Sequence, residues 1–246
     1  MAKLINGTRV YGSLTADTAL IAGSGSGFMN LVGFTTGTTV TWNFPSVLQV
    51  PNAKFKVTII GSGGAGGGTA ATIGQMGGGG GTGAVIVAYI TVVNGIYSLT
   101  YTVGASVAGV SAANGTAGQA SNIIYNGITY SSAGGGAGTL GTSVAAGGAG
   151  GAFSGITNGT TVNAWGYTGN PGHAGGVMAA TTNITGIGGN TPLGFGQGGV
   201  MPNVAAGQVG VAGTGYGAGG GGARNGTAAT ARAGGASAGG LVLIEF

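Results

Sequence analysis

Cysteine is absent from this chain of 246 residues, and ionisable side chains of every kind are scarce. Without cysteine the chain has neither a disulfide framework nor a thiolate metal site. Its two acids, Asp17 and Glu245, lie near opposite ends of the sequence, and His173 is the single histidine. Paired carboxylates, a Ser-His-acid triad and a three-ligand metal site each need such groups together. We therefore expect no enzymatic activity, no metal and no cofactor.

Positive charge is also sparse, with six Lys and Arg residues in the chain. They are scattered rather than grouped into the basic stripe that nucleic acids require. The longest apolar-rich run, residues 84–93, is shorter than the roughly 20 residues of a membrane-spanning helix. The sequence thus predicts no nucleic-acid partner and no membrane insertion.

Glycine is abundant, accounting for 63 of the 246 residues. With 43% hydrophobic and 3% charged residues, the composition is the reverse of that of a typical disordered chain. Each interior glycine costs a helix about 1 kcal/mol relative to alanine. No strict Gly-X-Y period persists, which excludes collagen. Flexible linkers are the simplest alternative, but many tracts with short connectors between them would leave little folded core.

The conformation that remains for the tracts is that of polyproline II, extended, with three residues per turn and no internal hydrogen bonds. The amides and carbonyls of each tract must then bond to neighbouring tracts. Without Cβ atoms such tracts can approach closely enough to pair backbone to backbone. We predict a glycine-rich bundle of polyglycine-II-like extended strands, whose core is made of backbone rather than side chains.

Alternating and β-branched residues predict strands outside the tracts. Lys54–Ile60 (KFKVTII) alternates as a half-buried strand does, and the closing LVLIEF is expected to pair with it. Asn-Gly supplies the two positive-φ positions of a type I′ turn. Hairpins are therefore predicted at Asn6-Gly7, Asn94-Gly95 and Asn126-Gly127.

The fold class that follows is all-β and irregular: β-hairpins plus the glycine-rich bundle, with essentially no helix. Glycine density divides the chain into residues 1–53, an N-terminal β segment for attachment or oligomerisation, and residues 54–246, a glycine-rich domain. Residues 84–133, which are poor in glycine, are predicted as a β-hairpin insert within that domain.

Residues 61–66 (GSGGAG) match the G-x-G-x-x-G fingerprint of dinucleotide-binding sites. Such a site needs a following helix and an acid about 20 residues further on. The next acid is Glu245, and residues 61–83 contain 13 glycines. We interpret the match as a strand leading into the first extended tract.

The strand VTII entering GSGGAGGG, the late GYGAGGGGA and the terminal GGLVLIEF resemble the glycine-rich domains of bacteriophage tail fibres. The adhesins at the tips of T-even-type long tail fibres are the nearest analogue. In those adhesins polyglycine-II helices pack in layers, and connectors at one end bind the host receptor. The resemblance covers about residues 54–246, and Val10–Thr18 resembles the short β pieces of trimeric fibres. It implies a virion location and a homotrimer.

Aromatic and amide side chains in the connectors are the candidates for recognition, because amphipathic rings with polar neighbours suit sugars or protein loops. Single aromatic residues are also explained as caps on the edge of the bundle. The candidate receptor-binding residues are Phe153, Asn163, Trp165, Tyr167, His173, Tyr216, Arg224 and Arg232. The two arginines could engage anionic surface polysaccharide or serve only as solvated charges that favour solubility.

The function predicted is that of a non-enzymatic bacteriophage tail fibre or fibre-tip protein that adheres to the host cell surface. Expected partners are host surface polysaccharide or an outer-membrane protein, other tail or fibre proteins, and further copies of the chain. Two alternatives stay open at this stage. The protein could be a purely structural virion component, or a secreted glycine-rich binding or antifreeze-like protein.

Overall fold

The computed structural model describes residues 30–141, 144–156, 162–179, 182–197, 200–201, 207–226 and 230–246. The predicted hairpin at Asn6-Gly7, the stretch Val10–Thr18 and Asp17 lie outside these residues.

The described chain is all-β, and its one helical element is the 3-10 turn Ser46–Leu48. The strands are β1 (Leu31–Phe34), β2 (Val40–Asn43), β3 (Lys54–Ile60), β4 (Val85–Thr91), β5 (Ser98–Thr102), β6 (Ser121–Tyr125), β7 (Ile128–Ser132), β8 (Val144–Ala145), β9 (Phe153–Ser154), β10 (Val162–Tyr167), β11 (Gly175–Ala179), β12 (Thr182–Ile184), β13 (Gly194–Phe195), β14 (Val200–Met201), β15 (Thr214–Gly215) and β16 (Leu241–Glu245).

Ten of these strands form a sandwich of two five-stranded sheets. The first sheet has the order β1-β16-β3-β4-β10 and the second the order β2-β5-β6-β7-β9, with every pairing antiparallel. Side chains alternate between core and surface, as the burial of β3 shows with Phe55, Val57 and Ile59 inside. The two inner faces share one hydrophobic core.

Aromatic rings fill the centre of that core. The ring of Phe44 lies 5.3 Å from Phe55 and 5.8 Å from Tyr125, and Phe55 and Tyr125 meet edge to face at 5.8 Å. Such offset and edge-to-face pairs add about 0.5–1.5 kcal/mol each to the area that they bury. The Tyr125 hydroxyl also accepts a hydrogen bond from the amide of Val93 at 2.8 Å, so it fixes the chain after β4.

Two predictions of strand pairing are confirmed. The closing strand β16 pairs antiparallel with β3, with Leu241 opposite Ile60. The hairpin β6–β7 turns at Asn126-Gly127, whose φ angles of 48° and 74° are the positive values that a type I′ turn requires.

The hairpin predicted at Asn94-Gly95 is wrong. β4 belongs to the first sheet and β5 to the second, so the chain crosses between sheets instead of folding back on its neighbour. Of the two residues Asn94 and Gly95, only Gly95 has a positive φ, 85°. The amide of Ile96 donates to the carbonyl of Val93 at 3.0 Å. A turn with one positive φ does not have the type I′ twist that joins adjacent strands.

The sandwich also extends across the boundary predicted at residue 53. β1 and β2 precede that boundary, yet β1 pairs with β16 and β2 pairs with β5. The segment predicted as an insert, residues 84–133, contributes β4 to one sheet and β5, β6 and β7 to the other. The strands of this segment are therefore a main part of the sandwich, whereas its residues 113–119 bond to glycine tracts of the bundle.

The glycine tracts form the predicted bundle, and hydrogen bonds around residues 62–69 show its geometry. Successive amides donate to three different neighbouring segments in rotation, so that each segment receives every third amide. Ser62, Ala65 and Gly68 donate to Gln119, Thr116 and Ala113; Gly63, Gly66 and Thr69 donate to Ala238, Gly235 and Arg232; Gly64 and Gly67 donate to Gly81 and Gly78. This rotation is that of an extended helix with three residues per turn.

Residues 77–84 occupy the centre of the bundle and are surrounded by six segments. Their amides donate to residues 217–223, 133–139 and 170–173, and their carbonyls accept from residues 186–189, 64–67 and 148–151. All of residues 77–84 are buried. Because these contacts are backbone to backbone, the interior of the bundle is built with almost no large side chains.

The contacts leave no room for side chains at the central glycines. A methyl group on Gly80 would lie 2.0 Å from the carbonyl oxygen of Gly64, and one on Gly81 would lie 2.0 Å from that of Ala149. Residues 61–66 are part of this bundle and extend directly from β3 without a helix. The structure thus agrees with the interpretation of GSGGAG as a scaffold element.

The sandwich and the bundle are continuous. β3 leads into the first tract at Gly61, and the central tract leads into β4 after Ala84. At this junction the hydroxyl of Ser132, which is 0% exposed, accepts from the amide of Gly61 at 3.0 Å and donates to the carbonyl of Ala84. A buried serine therefore satisfies backbone groups where one type of structure changes into the other.

The described chain has two opposite ends. Asn30 pairs with Phe246 at the end of the sandwich that is farthest from the bundle, because Leu31–Phe34 runs towards Leu241 and the tracts. The other end, called the distal end here, holds residues 70–75, 111–113 and 144–145, where tracts reverse direction. A small sheet of order β14-β12-β11-β8 lies at this distal end.

Candidate functional site

The outer surface of the first sheet carries a group of exposed aromatic side chains. Val162 and Ala164 of β10 point into the core, so that Asn163, Trp165 and Tyr167 point outwards. Tyr89, on β4, lies directly opposite Asn163. We call Tyr89, Asn163, Trp165 and Tyr167 the aromatic face.

Two rings of the aromatic face are held against each other. The rings of Tyr89 and Trp165 stack with their centres 5.6 Å apart and their planes at 30°. Both remain more than one third exposed, at 39% and 38%, and Tyr167 is 58% exposed. Because these side chains stand on paired strands instead of a loop, their positions are fixed by the sheet.

Phe153, the first of the predicted residues, supports β10 from the inner side. It is half-buried against the hydrophobic core. A methyl group on Gly166 would lie 2.7 Å from the Phe153 ring, so glycine at that inward position lets the ring pack there. Phe153 therefore lies beneath the aromatic face and not on it.

Charged side chains lie beside the rings on the same surface. Lys56 is the neighbour of Tyr89 on β3, and Glu245 is the neighbour of Lys56 on β16. The ammonium group of Lys56 and the carboxylate of Glu245 form an ion pair at 2.5 Å, with each side chain about one quarter exposed. Lys54, two positions along β3 from Lys56, is exposed and forms no ion pair among the described residues.

Tyr89 is the member of this surface that sequence reasoning missed. The alternation in Val85–Thr91 does place Tyr89 on the side opposite the buried Ile86, Ala88 and Ile90. Its contact with Trp165 depends on the pairing of β4 with β10, which lies more than 70 residues further along the chain. No local pattern specifies that pairing.

His173 and its neighbours form a second, shallower feature. The amide of His173 donates to the carbonyl of Ile187 at 2.8 Å, which places its backbone in the bundle while its side chain is exposed. A depression of about 290 Å³ is lined by Asn170, Pro171, His173, Gly188, Gly189 and Asn190. The side-chain amide of Asn170 donates to the carbonyl of Asn190 at 2.7 Å and closes one side of it.

Tyr216 packs instead at the junction of sandwich and bundle. It is half-buried against a small cluster of Ile60, Val85 and Leu241, which lies at the bundle end of the first sheet's outer surface. Its amide donates to the carbonyl of Leu193 at 2.9 Å. Tyr216 therefore covers the edge of that outer surface that adjoins the bundle.

The two arginines are not where a connector would place them. Arg224 is 0% exposed, and burial lowers the pKa of its guanidinium below the ordinary value. The prediction of Arg224 as a surface contact is wrong because residues 217–225 are an enclosed segment of the bundle and not a connector. Arg232 is half-buried, and its backbone pairs with Thr69.

Aliphatic side chains are exposed at and near the distal end. Ile73, in the turn between the first two tracts, is 62% exposed, and Val144 is 70% exposed. Val110 and Val209 are further exposed valines in that half of the bundle. Among the residues whose exposure the structure describes, Val144 and Ile73 are the most exposed large aliphatic side chains. Exposed apolar side chains, where they form a continuous patch, are typical of a surface that contacts a partner.

The described ranges contain neither a metal-binding cluster nor a membrane-spanning helix. No group of three or more His, Cys, Asp or Glu residues there could hold a metal ion. No helix in that part of the chain is both long and apolar enough to cross a membrane.

Comparison with known proteins identifies one family. A family model described as a glycine-rich domain matches residues 35–246, which is most of the chain and includes the bundle and every strand of the sandwich except β1. A search of curated proteins finds no match.

Proposed function

Since the chain belongs to the glycine-rich domain family, we propose that it is a non-enzymatic bacteriophage tail fibre or fibre-tip protein that adheres to the host cell surface. The observation that carries this proposal is the bundle itself. Its backbone hydrogen bonds hold the distal end in a fixed position relative to the sandwich. A rigid scaffold that presents variable connectors is a common arrangement for recognition.

The orientation of the sandwich relative to the distal end is consistent with this role. Asn30, which leads into β1, and Phe246 lie together at the end of the sandwich opposite the bundle. A protein attached to a virion at that end of the sandwich would therefore direct its distal end away from the attachment. Ile73 and Val144 would then be among the first side chains to meet a cell surface.

A cell-binding experiment tests this proposal. Purified protein should bind host cells and slow the adsorption of the phage that carries it. The double variant Ile73→Asp/Val144→Asp should lose at least about tenfold in cell binding, because burying one such side chain contributes about 1.5–3 kcal/mol. The matched control is Val47→Asp/Val50→Asp, which changes two exposed valines, 54% and 50% exposed, on the sandwich.

The control variant should bind cells as the unchanged protein does. Binding to purified capsid or tail components, with none to any host surface fraction, would contradict host recognition and favour a purely structural virion role. Equal losses in both double variants would show that the distal end is not the surface involved.

A further inference from the structure

The aromatic face lies on the sandwich, away from the distal end. Its three rings, those of Tyr89, Trp165 and Tyr167, are each more than one third exposed. We propose that it is a second binding surface that takes a pyranose-based polysaccharide carrying carboxylate groups. This inference rests on the proposed function, because it names a ligand class for a surface-adhering protein. It adds a site that the distal connectors do not provide.

The stacked rings of Tyr89 and Trp165 suit a sugar ligand. An aromatic ring buries a large apolar area and presents a negative π face, which suits the C–H groups on one side of a pyranose ring. Trp165 and Tyr89 already stack on each other, so a sugar would meet a surface with little side-chain freedom left to lose. A preformed platform of this kind binds without the cost of ordering a loop.

The extent of the platform points to a polymer and not to a single sugar. Trp165 and Tyr167 are successive outward residues on β10 and stand about 7 Å apart along the strand. Tyr89 extends the platform sideways onto β4. The exposed amide of Asn163 lies opposite Tyr89, where it can donate to a hydroxyl and accept from another.

The charged side chains on this surface favour an acidic polysaccharide over a neutral one. The outer surface of the first sheet carries Lys54 and Lys56 against one acid, Glu245. The ion pair occupies Lys56 and Glu245, while Lys54 is exposed and has no ion-pair partner among the described residues. A carboxylate on the sugar chain would complement this excess of positive charge and form a charge-assisted hydrogen bond.

The test measures the binding of alginate and polygalacturonate, both acidic, and of dextran, which is neutral, by calorimetry and by tryptophan fluorescence. Trp165 is one of two tryptophans in the chain, so binding at the aromatic face should change the emission. We expect at least one acidic polysaccharide to bind and dextran to bind at least about tenfold more weakly. Trp165→Ala and Tyr167→Ala should each reduce the affinity for the acidic polymer at least about fivefold.

Three controls make the result specific. Phe195→Ala removes an aromatic ring that is 65% exposed but lies outside the aromatic face, and it should leave binding unchanged. Lys54→Ala should weaken binding and reduce its dependence on salt. Raising the ionic strength from about 0.01 M to about 1 M, which shortens the Debye length from ~30 Å to ~3 Å, should weaken binding of the unchanged protein.

Several results would overturn the proposal. These are no binding to either acidic polymer, equal binding of dextran, or equal losses in Trp165→Ala and Phe195→Ala. Self-association that Trp165→Ala abolishes, without polysaccharide binding, would assign the surface to a second copy of the chain instead. Cell adsorption that depends on Ile73 and Val144 but not on Trp165, without polysaccharide binding, would refute this inference alone. Polysaccharide binding without any cell adsorption would refute the proposed function.

Discussion

Replacing Gly80 with alanine is expected to destabilise the protein by at least about 3 kcal/mol, the upper end of the usual cost of overpacking. The added methyl group would lie 2.0 Å from the carbonyl oxygen of Gly64. Neither group can move away easily. The amide of Gly80 donates to Gly220 at 2.8 Å, and its carbonyl accepts from Gly189 at 2.9 Å. A shift that relieves one contact therefore breaks hydrogen bonds to two other segments.

The matched control for this prediction is Gly176→Ala. A methyl group on Gly176 would meet no atom within 4 Å, so the same chemical change should alter stability by less than about 0.5 kcal/mol. Urea unfolding followed by circular dichroism measures both variants. Unfolding midpoints that agree between Gly80→Ala and the unchanged protein would refute a core made of closely packed backbone.

The second large effect is expected in the sandwich, from Phe55→Ala. Phe55 is 0% exposed and packs against the rings of Phe44 and Tyr125. Truncating a buried phenylalanine costs about 3–5 kcal/mol through lost burial and the cavity that remains. Phe195→Ala, at a ring that is 65% exposed, is the control and should cost little.

Phe55→Ala also tests whether sandwich and bundle fold together. β3 and β4 continue directly into the two central tracts, so we expect one cooperative transition that Phe55→Ala and Gly80→Ala both shift to lower denaturant. If Phe55→Ala instead produced two separate transitions, with the bundle unaffected, the two parts would be independent folding units.

The sequence predicts the local conformations well, because they depend on local chemistry. The absence of Cβ atoms and the backbone's need for hydrogen bonds are enough to predict extended tracts paired to each other. Alternation identifies β3, and its pairing with β16 follows from two apolar runs that bracket the glycine-rich body.

What the sequence does not predict is which segments become neighbours. Asn94-Gly95 and Asn126-Gly127 are the same dipeptide between similar apolar runs, yet only the second forms a hairpin. The difference arises because β4 pairs with β10 and β5 with β2, both distant in the sequence. Glycine tracts have no side chains that would specify a partner. No local sequence pattern therefore predicts which segments surround residues 77–84.

In the candidate site, too, the sequence predicts local features but not the contacts between remote segments. The chemistry of Asn163, Trp165 and Tyr167 makes them candidates, and alternation along β10 brings them to one surface. The sequence does not identify Tyr89, because its partner strand is remote, and it does not show that Arg224 is buried, because its segment has the composition of a connector. Residue chemistry identified candidates, whereas exposure depended on tertiary packing.

Hydrogen–deuterium exchange of the backbone amides in residues 62–69 and 77–84 tests the central claim most directly. Each of these amides donates to another segment of the chain in the structure. We predict that they exchange only through global unfolding, as slowly as the core strands β3 and β4. Exchange at the rate of an unstructured glycine linker, with the sandwich still protected, would contradict the hydrogen-bonded glycine bundle.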